Sequence, residues 1–360
     1  MKKILVALLA FTSVAFTFTS CSEDEWNAFG NGKVEMPNSS RAFILNEGSM
    51  GGNNSNIIYF DWATGKINDN DLFVQQNGVK LGDTGNDIEV YGNDLLVAVN
   101  VSNYVALLDG YGVEKSRISF EQYKNLGQVR NLTTIGNRVY AVSYGGYVST
   151  LRIDGDKLVY EDSLKVGERP EDIIALKGKL YVLLQGANYN DNRMAVIEAG
   201  SKTIKYVTVL TDPEDLYVAD DKVIVRGYGA SYSNEWGIYD PATDTYTDKG
   251  NASVMAVANG KLLIGYSVTN WYANPKTTTS TLSAYNLATG KSETFFKNVP
   301  EAITSISIYS ISVNPYDNRI YVATSSFDAN GIIYVFDGEG NYERSFSAYG
   351  INPHAIVFMN

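Results

Sequence analysis

Apolar and polar positions alternate between polar turns and short β-rich runs, and the runs recur. One series reads Ala42-Phe43-Ile44-Leu45, Asp94-Leu95-Leu96-Val97, Arg138-Val139-Tyr140-Ala141 and Lys179-Leu180-Tyr181-Val182. It continues with Lys222-Val223-Ile224-Val225, Lys261-Leu262-Leu263-Ile264 and Arg319-Ile320-Tyr321-Val322. Counted at the second residue, successive copies stand 52, 44, 41, 43, 39 and 58 residues apart. Four-stranded propeller blades repeat at about 40–45 residues, and the two longer steps leave room for insertions. A second series ends in Asp, Asn or Glu before a turn, as in Ile58-Tyr59-Phe60-Asp61 and Val335-Phe336-Asp337-Gly338. Side-chain oxygens close such turns and Gly accepts their positive φ.

A third series precedes the first and predicts the inner strand of each blade. Its internal copies begin at Asp87, Asn131, Asp172, Asp215, Val254 and Ser310. The copy missing before Ala42 occurs at the C terminus, His354-Ala355-Ile356-Val357-Phe358. The pattern predicts an all-β fold, a seven-bladed β-propeller of four-stranded antiparallel blades. Its C-terminal strand completes the N-terminal blade, which leaves no open edge. The period runs through residues 41–360 without a linker, so they form one domain.

The first residues read differently. Lys2 and Lys3 precede an apolar run from Ile4 to Phe18, a secretory signal over residues 1–20 that is too short for a membrane span. The sole cysteine, Cys21, follows at once and reads as the lipidated residue of a bacterial lipoprotein. Ser22-Glu23-Asp24-Glu25 resembles the surface-export signal of Bacteroidetes-type lipoproteins, and residues 21–40 read as an acidic flexible tether. The expected location is the extracellular face of the outer membrane, with the lipid anchor as the only membrane contact.

Composition narrows the chemistry. A formal charge of −11 argues against a nucleic-acid partner, one Cys excludes an internal disulfide, and one His excludes a His-based metal cluster. No Gly-x-Ser-x-Gly elbow or Gly-rich phosphate loop occurs, and Asp87 and Asp172 recur at the blade position of Asp215, which favours a structural role. The chain therefore reads as non-catalytic, without cofactor or metal, and as a monomer.

Candidate binding residues follow from blade topology. Turns between first and second strands, such as Lys177-Gly178 and Asn259-Gly260, are short and share one end of the ring. Loops between second and third strands share the other end and are long, rich in Asn, Ser, Gly and aromatic residues. They offer Asn46, Glu47, Asn103, Tyr104, Tyr144, Tyr147, Tyr189, Tyr228, Tyr232, Trp271, Tyr272 and Phe327 as ligand contacts. Blade connections add Arg130, Arg169 and His354 near the axis.

Phe43-Ile44-Leu45-Asn46-Glu47-Gly48, Lys80-Leu81-Gly82-Asp83, Ser312-Val313-Asn314-Pro315, Arg319-Ile320-Tyr321-Val322-Ala323 and Gly350-Ile351-Asn352-Pro353 carry a family likeness. In these the chain resembles the YncE-like surface lipoprotein propellers, the BtuG-type group above all. The resemblance implies capture of a corrinoid (cobalamin) and transfer to an outer-membrane TonB-dependent transporter. A flat, amide-fringed corrinoid suits a face with aromatic area and many hydrogen-bonding groups. A glycan-binding lipoprotein and a propeller lyase or lactonase are the alternatives.

Overall fold

The computed structural model describes residues 34–360; the signal segment 1–20, Cys21 and the start of the tether lie outside the described residues. Seven antiparallel sheets form the blades of a closed ring. Blade 1 combines Pro353–Met359, Arg41–Asn46 and Asn56–Asp61, from the axis outward. Blades 2 to 7 span residues 85–119, 129–165, 170–208, 213–251, 254–293 and 307–347, each with four strands ordered from axis to rim as in the sequence. Phe43 faces Val357, Ile44 faces Ile356 and Leu45 faces Ala355, so the C-terminal strand closes the ring.

The legible runs are the second strands, and their burial explains why. Leu95 to Val99 are wholly buried, because each side of a blade meets a neighbouring blade. The apolar core is accordingly a set of seams between blades. One seam joins Leu96, Ala98, Val105 and Leu107 of blade 2 to Leu132, Val139, Ala141 and Leu151 of blade 3. Each buried aliphatic side chain contributes about 1.5–3 kcal/mol. With the apolar residues drawn into the seams, the axis is left to polar ones.

Blade 1 has three paired strands, and a Phe60–Ile67 bridge followed by a helix, Leu72–Asn77, stands at its rim. Asp71 caps that helix by accepting from Phe73 N and Val74 N, and Gly78 ends it with φ 72°. Leu72 and Phe73 share a seam with Met36, which is 7% exposed. Within the stretch that reads as tether, Met36 and Ser40 are buried while residues 37–39 are exposed. The Tyr111 hydroxyl donates to Asn38 Oδ1 at 2.7 Å, and Val34 N donates to Gln76 Oε1 at 3.1 Å. Tyr111 lies in an outer turn of the short-turn end, so the chain enters the ring there. Among the described residues no helix is long and apolar enough to cross a membrane.

Candidate functional site

At the loop-rich end, six of the seven inner strands carry a β-bulge at the same height. The extra residues include Asn86, Arg130, Glu171, Glu214, Tyr309 and His354. A bulge leaves its residue out of the ladder and re-aims the side chain. Here these side chains converge on the axial mouth. Arg130 Nε donates to Glu171 Oε1 at 2.9 Å, and its Nη1 donates to Asn86 Oδ1. The Tyr309 hydroxyl donates to Glu47 Oε2, and the Tyr309 ring meets those of His354 and Phe327 at 6.3 and 5.8 Å. Arg226 Nε donates to Asp215 Oδ2 at 2.6 Å while Nη1 donates to Glu214.

The neighbouring inner-strand position stitches blades together. Asp172 accepts from Asn131 Nδ2 at 2.8 Å, from Ile173 N at 2.7 Å and from Leu216 N at 2.6 Å. Asp87 accepts from Leu132 N at 2.9 Å. The structural role expected for these carboxylates is thus visible, but their electrostatics are unusual. Burial, with Asp215 adding, pushes Asp172 up to about 8. Burial pushes Asp87 up to about 6 and Glu214 up to about 7, the latter against the pull of Arg226. Asp212 rises to about 6 through burial and the nearby Glu171. Such groups exchange protons near neutral pH.

Aromatic and cationic groups form a column outward from the axis. The Arg130 guanidinium carbon lies 5.1 Å from the Tyr144 ring, and that of Arg169 lies 4.1 Å from Tyr144 and 4.5 Å from Tyr189. Four buried polar atoms in this quarter lack a hydrogen-bond partner: Arg169 Nε, Glu171 Oε2, Gln185 Oε1 and Asp212 Oδ1. Gln185 N and Gly186 N donate to Arg169 O and Glu168 O, and Asp191 links Gln185 to Asp212 through the backbone, which ties these residues into one patch.

The sequence-derived candidates divide into three groups. Glu47, Arg130, Tyr144, Arg169, Tyr189, Tyr228, Phe327 and His354 gather at or beside the mouth; Glu214 beside the Tyr228 hydroxyl raises its pKa. Tyr147, Tyr232, Trp271 and Tyr272 stand away from it. Tyr147 is half-buried under Lys165, and Tyr232 reaches only the Tyr228 ring, at 6.4 Å. Trp271 and Tyr272, 65% and 100% exposed, tip the hairpin of Lys261–Asn270 and Thr277–Asn286.

The remaining three are corrected to scaffold. Asn46 is wholly buried, its Nδ2 donating to Asn56 Oδ1 at 2.8 Å and Ala348 O at 2.9 Å. Tyr104 is 4% exposed, its hydroxyl donating to Leu81 O, so no ligand reaches it. Asn103 holds φ 55° and accepts from Val129 N at 3.0 Å, fastening a turn. Asn86, Asp212, Glu214 and Arg226 escaped the sequence reading. Aligning residues just before Asp87, Asp172 and Asp215 finds Asn86, Glu171 and Glu214, and Arg226 stands where blades 2 and 7 place Ala98 and Ala323.

No family model and no curated relative matches this chain. Solved structures do. A putative 6-phosphogluconolactonase from Bacteroides fragilis superposes with a TM-score of 0.63 at 12% identity, over 91% of this chain and all (100%) of that one. The Pseudomonas aeruginosa periplasmic gluconolactonase PpgL gives 0.60 at 11%, over 89% and 99%. BamB from Moraxella catarrhalis gives 0.52 at 11%, over 90% and 87%. At these identities the likeness establishes the propeller fold. The non-catalytic reading of the sequence is corrected to this extent: proteins named as lactonases share this ring, so the fold does not exclude catalysis.

Proposed function

We propose that the axial mouth binds a broad, polar, ring-bearing small molecule, with a corrinoid as the leading candidate. The observation that carries this reading is the convergence of six bulged inner-strand positions beside four buried polar atoms that the fold leaves without partners. Buried polar groups are retained unpaired when something outside the fold completes them, because each costs about 1–3 kcal/mol. The corrinoid comes from the YncE-like, BtuG-type resemblance. The surroundings support it: Tyr144, Tyr189 and Tyr228 offer ring faces, and the orphaned groups supply acceptors and a donor for peripheral amides. Val34 and Asn38, the start of the described chain, are fastened at the end of the ring opposite the mouth. That orientation suits a lipid-anchored surface protein that presents its ligand to a TonB-dependent transporter.

Asp172 and Glu214, titrating at about 8 and about 7, favour one second reading, proton-transfer catalysis of lactone opening. Purified protein mixed with cyanocobalamin and passed through gel filtration separates the two. Comigration of the visible absorbance with protein supports capture. Its absence, together with turnover of gluconolactone that Glu214→Gln abolishes, replaces capture by catalysis; binding to a polysaccharide panel replaces both by a glycan site.

A further inference from the structure

We infer that Arg169 is the specificity-determining residue of the mouth and selects a ligand bearing a carboxylate or phosphate group. The inference rests on the binding reading above and names the chemistry it leaves open. Among the described residues three arginines stand at or beside the axial mouth, and two are already spoken for; Arg193, further out at this end, is held by Asp191. Arg130 is held by Glu171 and Asn86, and Arg226 by Glu214 and Asp215. Arg169 is different: among the described residues its guanidinium makes no ion pair and donates no hydrogen bond, and its buried Nε is orphaned.

The guanidinium carbon lies 4.1 Å from the centre of the Tyr144 ring and 4.5 Å from that of Tyr189. The rings crowd the group and leave its N–H edge to a polar partner. That is the edge from which a planar carboxylate or a phosphate accepts two parallel hydrogen bonds. Crowding by the rings also fixes the fork in advance, so little rotamer freedom remains to be lost on binding.

The blade connection sets its place. Arg169 has φ 49°, a left-handed conformation that Thr84, Asp212 and Asn352 share just before their own inner strands. Gln185 N donates to the Arg169 carbonyl at 3.0 Å, and Gly186 N to that of Glu168 at 3.1 Å. The repeat therefore fixes the backbone that carries this side chain. The nearby carboxyl of Asp212 has its pKa raised to about 6 by burial and Glu171.

The test uses the full mature domain with two probes, inorganic phosphate and succinate, at constant ionic strength. Ligand line broadening by 31P and 1H nuclear magnetic resonance reports binding to wild type, Arg169→Lys, Arg169→Met and Tyr189→Leu, with melting curves as the folding control. Expected results are at least a tenfold loss of affinity in Arg169→Met, partial retention in Arg169→Lys, and a several-fold loss in Tyr189→Leu, all with near wild-type melting. Binding of phosphate alone assigns a phosphoryl ligand; binding of succinate assigns a carboxylate. Equal binding by wild type and Arg169→Met overturns the inference. If cyanocobalamin comigrates but neither anion binds, the ligand class is wrong and the binding reading survives. If none of the three binds, both fall.

Discussion

The two ends of the ring solve the same local problem in opposite ways. At the short-turn end the turn carboxylates are satisfied within a few residues, although Arg41 Nε, Asn314 Nδ2 and Tyr321 Oη stay unpaired there. Asp109 accepts from Tyr111 N and Val113 N, both at 2.9 Å, and Asp337 accepts from Glu339 N at 2.9 Å and Asn341 N at 2.8 Å. At the mouth the inner strands break register, carboxylates and guanidiniums are buried together, and several polar atoms go unmatched. The same repeat thus yields an end of locally closed turns and an end where charged groups meet across blades.

The severest way to break the comparison is to open the ring. Deleting residues 351–360 removes the whole inner strand Pro353–Met359, leaving the Arg41–Asn46 strand unpaired on its axial side and two seams exposed. The truncated chain should not melt cooperatively by calorimetry. A soluble truncation with a sharp transition would show that blade 1 closes without its terminal strand.

Next in size is a matched pair of arginine substitutions. Arg226, 7% exposed, neutralises Glu214 and Asp215. Arg226→Met removes a buried guanidinium from two half-buried carboxylates and should cost about 3 kcal/mol in urea unfolding. At the short-turn end Arg319 pairs with Asp317 and Glu343 at 2.8 and 2.7 Å, partners of similar exposure, but its own guanidinium is open to solvent. Arg319→Met should cost about 1 kcal/mol or less. Equal effects would erase the distinction between the two ends.

Much of this was readable beforehand, and the limits have physical causes. The second strands are buried on both sides, so Leu95-Leu96-Val97 and its counterparts stand out as apolar runs that fix the blade count. Outer strands such as Glu114–Ser119 face solvent on the rim and leave no such trace. Connection topology assigned the long loops to one end of the ring. It could not tell Tyr104 from Tyr144, since both are tyrosines near loop boundaries and only packing sends one into a seam and the other under Arg130 and Arg169. Glu214 and Arg226 were hidden because a bulge, not a motif, aims them.

A pH series sharpens the comparison further. Asp172 is raised in the folded state to about 8, so the folded protein holds a proton that the unfolded chain has released above about 4. This contribution to stability is complete below about pH 4 and is lost as the pH climbs through 8. Melting temperature should therefore fall between those limits, and Asp172→Asn, which cannot ionise, should flatten that part of the profile. An unchanged slope in the variant would assign the pH dependence to Asp87 or Glu214 instead.

The smallest expected change in stability comes from the arm of blade 6. Its two long strands pair over ten residues each, but the inner strand Val254–Ala258 is exhausted where Val254 meets Gly265. The pairs from Tyr266–Thr281 to Asn270–Thr277 therefore form a two-stranded ribbon of roughly 16 Å beyond it. Ser280 Oγ pins its base, donating to Ile306 O at 2.6 Å, whereas the tip holds little more than Lys276 over the Trp271 ring at 4.6 Å. Between Asp248 and Glu293 the chain has no acidic residue, so the arm itself carries no charge that would repel an anionic ligand. Trp271→Ala with Tyr272→Ala should leave stability within about 0.5 kcal/mol, because exposed rings contribute little to folding. Retained binding of cyanocobalamin would place the arm outside the site. A tenfold loss at unchanged melting would extend the mouth to it, and a large drop in melting temperature would show that the rings pack in a way their exposure denies.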